Sequence, residues 1–455
     1  MRTLAAVVVA LGVAAGVAYV AAGRAAGPRV EIVRPARFVG ASTPVEIGID
    51  APLAALSGLD VRVEQEGTAT TVLSLADAQS GAAAVREVDA ARVQVTRTMT
   101  RETVPGLRAG TGRIVVRATW PVLFGLRQVH TEVARDVEVR LDPPRLSVVS
   151  THHYVNLGGS EAIVYRVTPA DATSGVRVGD VEYPGFPLTG AASAGATSTD
   201  PSMRLAFFAL RWDQPLTTPM ALYARDEAGN AAEAQFERRV FPKPARASRI
   251  ELNEAFLERV VPAILAGTKE IAPAGSLIER FVAINSDLRR LNAERIASFA
   301  RETSPELLWQ GAVFHPFANS SAESAFADRR TYLYQGREVD RQVHLGFDLA
   351  SFANTPIVAA NRGKVLFAGE LGIYGNTVIL DHGMGLQSLY AHLSGIDVPV
   401  GAMVEKKQTL GRSGMTGMAG GDHLHFTMLL HGQMVTPVEW WDPHWIEDRV
   451  LRKLR

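Results

Sequence analysis

His423 and His425 stand one residue apart in GGDHLHFTM, Gly420 to Met428. The chain has 11 histidines and no cysteine, so any metal must be held by His, Asp or Glu. HLHFTMLL has the pattern of a strand. At i and i+2 on a strand two side chains share a face, roughly 6.5–7 Å apart. That spacing suits one zinc ligand with a neighbour beside it, or two ligands of one ion. Seven of the 11 histidines lie at or after His344, which opens HLGFD, His344 to Asp348. On a straight strand His344 and Asp348 would be about 13 Å apart, too far to share an ion. A bend at Gly346 brings them together, because glycine bends a strand at little steric cost. His344, Asp348 and one of the HLH histidines then make a His2Asp set with a fourth position for water, the pattern of a catalytic zinc site. No HExxH helix is present to supply a glutamate base. GRSG lacks the two flanking glycines of a nucleophile elbow.

The elements that must position these residues read as short glycine-rich strands. TPIVAANRGKVLFAGE, GNTVILDHGMGLQSLYAHLS and KKQTLGRSG predict a compact antiparallel sheet with tight turns. Upstream, ELNEAFLERVVPAILAG and SLIERFVAINSDLRRLNAERIASFARE predict helices, with a break at Pro262. Leu277, Phe281, Ile284, Leu288 and Leu291 form one apolar stripe. The reading favoured for this segment is a helical hairpin packed on a neighbouring domain; the sharper one is a cover over the groove. Further upstream, runs such as RVEIVRPARFV, LDVRVEQEG and GRIVVRATW alternate apolar and polar residues, as in a β-sandwich. MALYARDEAGNAAEAQFERRVF carries a hairpin turn at Gly229-Asn230. Its stretch resembles extracellular immunoglobulin-like modules.

The predicted order is an N-terminal membrane anchor or signal sequence (1–28), a β-sandwich (29–144), an immunoglobulin-like β module (145–245), a helical segment (246–311), a β-rich domain (312–445) and a tail (446–455). The expected class is multidomain and mainly β. Leu4 to Gly23 is an uncharged run of 20 residues behind Arg2, long enough to span a membrane. It exceeds the ~7–15-residue core of a cleaved signal. Either export reading places the β modules and the C-terminal domain outside the cytoplasm. With 47 basic and 47 acidic residues the chain is neutral, and nothing points to nucleic acid.

HxxxD, YAHL about 40 residues on and HLH about 30 further strongly resemble the lysostaphin/LytM metalloendopeptidases. SAFADRRTYLYQG resembles that family's Phe-Gly-x-Arg segment, with Ala327 in place of glycine. The resemblance covers residues 312–441. It implies a zinc endopeptidase that cuts peptide cross-links of bacterial peptidoglycan at the outer face of the cytoplasmic membrane. It assigns His344, Asp348 and His425 as zinc ligands, and His423 and His392 as catalytic histidines. A histidine beside a zinc-activated water can carry its proton, here His423, and a second can donate to the oxyanion, here His392. The alternative is a non-catalytic envelope regulator that activates amidases, although members of that kind have usually lost ligands. The N-terminal segment contacts the membrane on this reading, and the β modules serve as a spacer or contact wall or an envelope protein partner. Two departures mark substrate choice as the open point: MAGGD before HLH, and Thr427 where the family has glutamate. The other histidines read as structural. His152 and His153 point to opposite faces of a strand, His382 supports a hairpin turn, and His431 and His444 lie on the surface. His315 or Asn319 is a minor candidate for an upstream residue that blocks zinc.

Overall fold

A computed structural model describes residues 2–24, 27–89, 91–244 and 246–455. Helices and more than 30 short strands follow one another, and sheets dominate. The chain divides into two compact units, residues 1–144 with 225–232 and residues 145–224 with 233–455.

In the first unit the β-sandwich expectation holds. One sheet runs in the order Val30–Arg34, Ser42–Ile49, Arg92–Thr100, Ala84–Asp89. The other is Phe38–Val39, Arg127–Val139, Gly110–Val122, Gly58–Gln65, Thr68–Ser74. Val45, Ile47 and Val95 from the first share a core with Val61, Ile114 and Val116 from the second. The inward residues are every second one, as pleated strands require. Residues Arg2–Ala22 are helical. Among the described residues no helix is long and apolar enough to cross a membrane. The side chains of Leu4 and Ala5, where the expected span begins, lie outside those described.

The second unit opens on a β module. Its sheets include Arg145–Val148, Ser160–Thr168, Met203–Ala209 and, separately, Val181–Pro184, Thr173–Val178 and Met220–Arg225. This module is fused to the C-terminal domain by a common core. Val164, Phe207 and Leu222 lie in one apolar cluster with Phe314, Leu380, Phe426 and Trp440. The Trp440 indole donates to Ser160 Oγ at 3.1 Å. Glu439 accepts from Asn156 Nδ2 at 2.8 Å and from the Ser160 N–H at 2.6 Å. His431, expected on the surface, is enclosed here: its ring stacks on Phe186 at 5.9 Å and meets Tyr183 at 6.1 Å. Burial lowers its pKa to about 4. The stretch read as a tail is helical, with Val450 and Leu454 buried. Lys453 from it pairs at 2.9 Å with Glu161, which is fully buried. His444 is exposed, as expected.

The helical segment lies directly on the C-terminal sheet. Val260, Ile264, Phe281, Ile284 and Leu288 share a core with Tyr374, Leu389 and Ala391. Pro262 does not break the helix Glu254–Gly267. Pro262 is exposed, so the carbonyl that loses its partner faces water, while Val260, Val261 and Ile264 anchor the helix on its other side. The stripe is buried at Phe281, Ile284 and Leu288 as expected. A π-helical turn over Ile284–Leu288 then shifts the buried face to Asn292 and Ile296.

The main sheet of the C-terminal domain has the order Ser321–Ser324, Phe347–Ala350, Leu424–Leu430, Leu386–Leu393, Asn376–Gly383, Gly363–Glu370, Met403–Val404 along its main path. His382 is the penultimate residue of its strand and not a turn residue. It is fully buried, with Nδ1 2.7 Å from the Arg362 carbonyl and Nε2 2.7 Å from Ser388 Oγ. A hairpin this deep in the core needs both imidazole nitrogens satisfied, and here they are.

Candidate metal centre

His344 ends the strand Arg337–His344, and Asp348 lies near the start of Phe347–Ala350. The chain changes sheets between them, at Leu345-Gly346. Asp348 then pairs directly across from His425 in the antiparallel register, and His425 pairs with Ala391 on its other side, next to His392. The two halves of the sequence motif are thus cross-strand neighbours.

Three atoms converge. His344 Nε2 is 2.9 Å from Asp348 Oδ1 and 3.0 Å from His425 Nδ1, and His425 Nδ1 is 3.0 Å from Asp348 Oδ1. The neighbours decide which atom of each residue faces the centre. His344 Nδ1 lies 3.1 Å from the Ala325 carbonyl, to which it donates, leaving the Nε2 lone pair free. Arg330 Nη2 holds Asp348 Oδ2 at 3.0 Å, leaving Oδ1. Such outer contacts fix tautomer and orientation in metal sites. Two imidazole lone pairs and a carboxylate at this separation repel one another without a cation between them. His344, Asp348 and His425 therefore form a set that could hold a metal ion. Burial raises the Asp348 pKa, but the His344 charge and bonds from His344, His423 and His425 outweigh it, so the carboxyl lies well below the usual range. Burial is also the main reason that the His425 pKa falls to about 4, with Asp348 opposing.

Gly346 has a second reason to be glycine. A Cβ there would stand 2.5 Å from His425 Cε1 and Nε2 and 2.6 Å from Thr427 Oγ1. Gly346→Ala is expected to tilt the His425 ring and weaken zinc affinity by about 10-fold or more, the scale seen when a ligand's support is disturbed. A competition titration with a chelating dye reads this; unchanged affinity in a folded variant would contradict it. Thr427, the departure from the family pattern, is fully buried and donates to the Leu345 carbonyl, so it ties the two halves of the motif together. Ala327, which stands where the family's segment has glycine, holds φ 64°, the left-handed region that favours glycine.

His392 and His423 flank the centre, their rings 4.8 Å apart, and His392 lies 5.8 Å from His425. His392 holds φ 64°, an uncommon conformation for a residue with a Cβ and one that recurs at functional sites. Its Nδ1 donates to the Thr416 carbonyl at 2.8 Å, and His423 Nδ1 donates to the Gly421 carbonyl at 2.8 Å. Burial first, then the neighbouring His423 and His425, hold the His392 pKa well below 6.5. For His423 burial is outweighed by Asp348, and its pKa rises. His315 stacks on Trp441 at 6.4 Å, and neither it nor Asn319 lines the cavity over the centre.

The helical segment packs on the C-terminal sheet, as the favoured reading has it, and one of its residues also reaches the groove. The cavity over the centre, about 110 Å³, is lined by Arg289 of the helix together with Tyr374, Met418, His392 and the metal-type residues. Arg259 Nη2 donates to the Ala419 carbonyl at 2.7 Å, so the helices also hold the MAGGD loop. No periodicity in the sequence could reveal this, because both arginines lie off the apolar stripe.

The model of peptidase family M23 matches residues 342–437. The DD-carboxypeptidase/endopeptidase Mpg of Neisseria meningitidis is 39% identical over 97 residues, 21% of this chain and 22% of that protein. The peptidoglycan DD-endopeptidase ShyA of Vibrio cholerae is 34% identical over 96 residues, 21% of this chain and 22% of that protein. The catalytic domain of lysostaphin from Staphylococcus simulans aligns with a TM-score of 0.24 at 27% identity, over 27% of this chain and 92% of that one. The chain spans about a fifth of the length of the curated relatives it matches. The chain carries, over residues 342–437, a domain of peptidase family M23.

Proposed function

We propose that this protein is a zinc-dependent endopeptidase that hydrolyses peptide cross-links of bacterial peptidoglycan in the cell envelope. The observation that carries the reading is the convergence of His344, Asp348 and His425 within 3.0 Å, with His392 and His423 beside them. Two nitrogens and one carboxylate oxygen are a donor set that zinc takes in catalytic sites. A zinc ion bound there supplies Lewis acidity toward the scissile carbonyl and lowers the pKa of a water. The names of Mpg and ShyA support the substrate class, and the complete ligand set disfavours the regulator alternative. An N-terminal anchor in residues 1–28 would keep the enzyme at the membrane.

The nitrogens of the two histidines support a division of roles between them. Both donate Nδ1–H to a backbone carbonyl, so both direct Nε2 at the groove. His392 is buried and its Nδ1–H is committed to the Thr416 carbonyl, so in the neutral ring Nε2 carries the lone pair. It is suited to accept the proton of the attacking water. That reverses the expectation from the motif, in which His423 carries the proton and His392 donates. His423, less buried and more readily protonated, is the better donor to the oxyanion and to the leaving amine. His392→Gln is expected to lower kcat by about 10²–10⁴-fold, the range of a general base. A base must be unprotonated, and the His392 pKa is lowered. A variant that keeps wild-type kcat contradicts the assignment.

A further inference from the structure

We propose that Arg289, from the helical segment outside the M23 domain, is the carboxylate-recognition residue of the groove. It would select peptides with a free carboxylate beside the scissile amide, as in a D-alanine–diaminopimelate cross-link, over glycine bridges. This rests on the endopeptidase reading above.

Three observations carry it. The first is charge. The cavity lining contains Arg289, Arg330 and one carboxylate, Asp348. Arg330 is committed to Asp348. Arg289 bonds only neutral atoms among the described residues: the Asn285 carbonyl at 3.0 Å, Asn285 Oδ1 at 2.5 Å and Met418 Sδ at 3.7 Å. A guanidinium has five donors; Nε and both Nη2 hydrogens are used, so Nη1 remains for a charged ligand.

The second is the way the side chain is held. In an α-helix the Arg289 N–H would bond the Asn285 carbonyl. The π-helical turn redirects it to the Ile284 carbonyl. The Asn285 carbonyl is thereby released, and Arg289 Nε takes it. Asn285 is fully buried, and its Nδ2 is fixed by Asp340 Oδ2 at 2.7 Å. Single π turns inside α-helices frequently mark functional sites. Here the turn converts a flexible arginine into a fixed one.

The third is size. Arg289 and the metal-type centre line one and the same cavity of about 110 Å³. A ligand that reaches both Arg289 and the metal-type centre must carry its carboxylate within a few bonds of the scissile carbonyl. Diaminopimelate does so, because the carbon that bears the scissile nitrogen also bears a carboxyl. A glycine–glycine bond inside a bridge offers none.

The test uses the zinc-loaded full chain and two probes. One is an acceptor peptide without the cross-link, with that carboxyl free or amidated. The other is the corresponding cross-linked pair. Wild type is expected to bind the free acid at least about 10-fold more tightly than the amide, as a charge-assisted hydrogen bond implies. Arg289→Met is expected to bind both at the amide's level, and Arg289→Lys to keep part of the preference. The same preference should enter KM for the cross-linked pair. Equal binding of acid and amide by wild type, or a preference that survives in Arg289→Met with zinc content unchanged, overturns the proposal. Selective binding without cleavage sinks the endopeptidase reading and leaves Arg289 in its role. Cleavage without selectivity does the reverse.

Discussion

His425→Ala is expected to lose bound zinc and at least about 10³-fold in cross-link cleavage, the several kcal/mol that a Lewis acid contributes to such a step. The geometry makes His425 the keystone of the set. Its Nδ1 is the atom that faces both His344 Nε2 and Asp348 Oδ1. Its ring also meets Tyr374 at 5.5 Å and lies against Gly346, so alanine removes a ligand from a closely packed place. His344 and Asp348 alone present two donors, one short of the three that catalytic zinc sites use. The fold should survive, because the strand Leu424–Leu430 is anchored by Leu424, Phe426 and Met428 in the opposite-facing core. A zinc-free, folded and inactive variant is the expected result. Retained activity would remove the metal from the account.

Lys453→Met is expected to destabilise the second unit by about 3–5 kcal/mol, the cost of leaving a buried charge without its partner. Glu161 is fully buried and bonded to Lys453 at 2.9 Å. It also accepts the N–H groups of Tyr154 at 2.8 Å and Ala162 at 2.9 Å. Burial raises the Glu161 pKa and lowers that of Lys453, and in each the partner only partly offsets it. The pair thus contributes little as a net attraction, yet breaking it is costly. Adding Glu161→Gln to Lys453→Met removes the unpaired charge, keeps an acceptor for one of those N–H groups and should recover part of the loss. Urea unfolding followed by tryptophan fluorescence reads both. A loss below about 1 kcal/mol for Lys453→Met would mean that the junction opens to water. The same junction predicts that residues 312–455 alone do not fold, since Trp440 and Phe426 would lose Phe207, Leu222 and Val164 from their core.

The residues of the centre are legible in the sequence because metal chemistry restricts residue types and strand geometry restricts spacing. With no cysteine present, HxxxD and HLH leave few other sets. Glycine at 346 predicts the bend between His344 and Asp348, but for half the reason. Strand flexibility is a local property, whereas the close approach of the His425 ring is not. The apolar stripe over Phe281, Ile284 and Leu288 tells which face of the helices is buried. It cannot tell what that face packs against, so the placement of Arg289 in the groove is invisible to it. His431 escapes for the same reason. A histidine in a glycine turn reads as exposed, and Phe186 and Tyr183 of the neighbouring β module, with the hairpin at Gly385, cover it. The π turn has no sequence signature in INSDL, and the fixed arginine is hidden with it.

Mass spectrometry of muropeptides tests the central claim most directly. Purified cross-linked peptidoglycan is digested with the zinc-loaded protein and with His425→Ala, and metal content is measured on the same preparations. The account predicts about one zinc per wild-type chain, as a single three-ligand site implies. It also predicts cross-linked dimers converted to monomers with the gain of one water at a peptide bond. His425→Ala should show neither. Intact dimers after treatment with zinc-loaded wild type, or equal cleavage by the zinc-free variant, would contradict it.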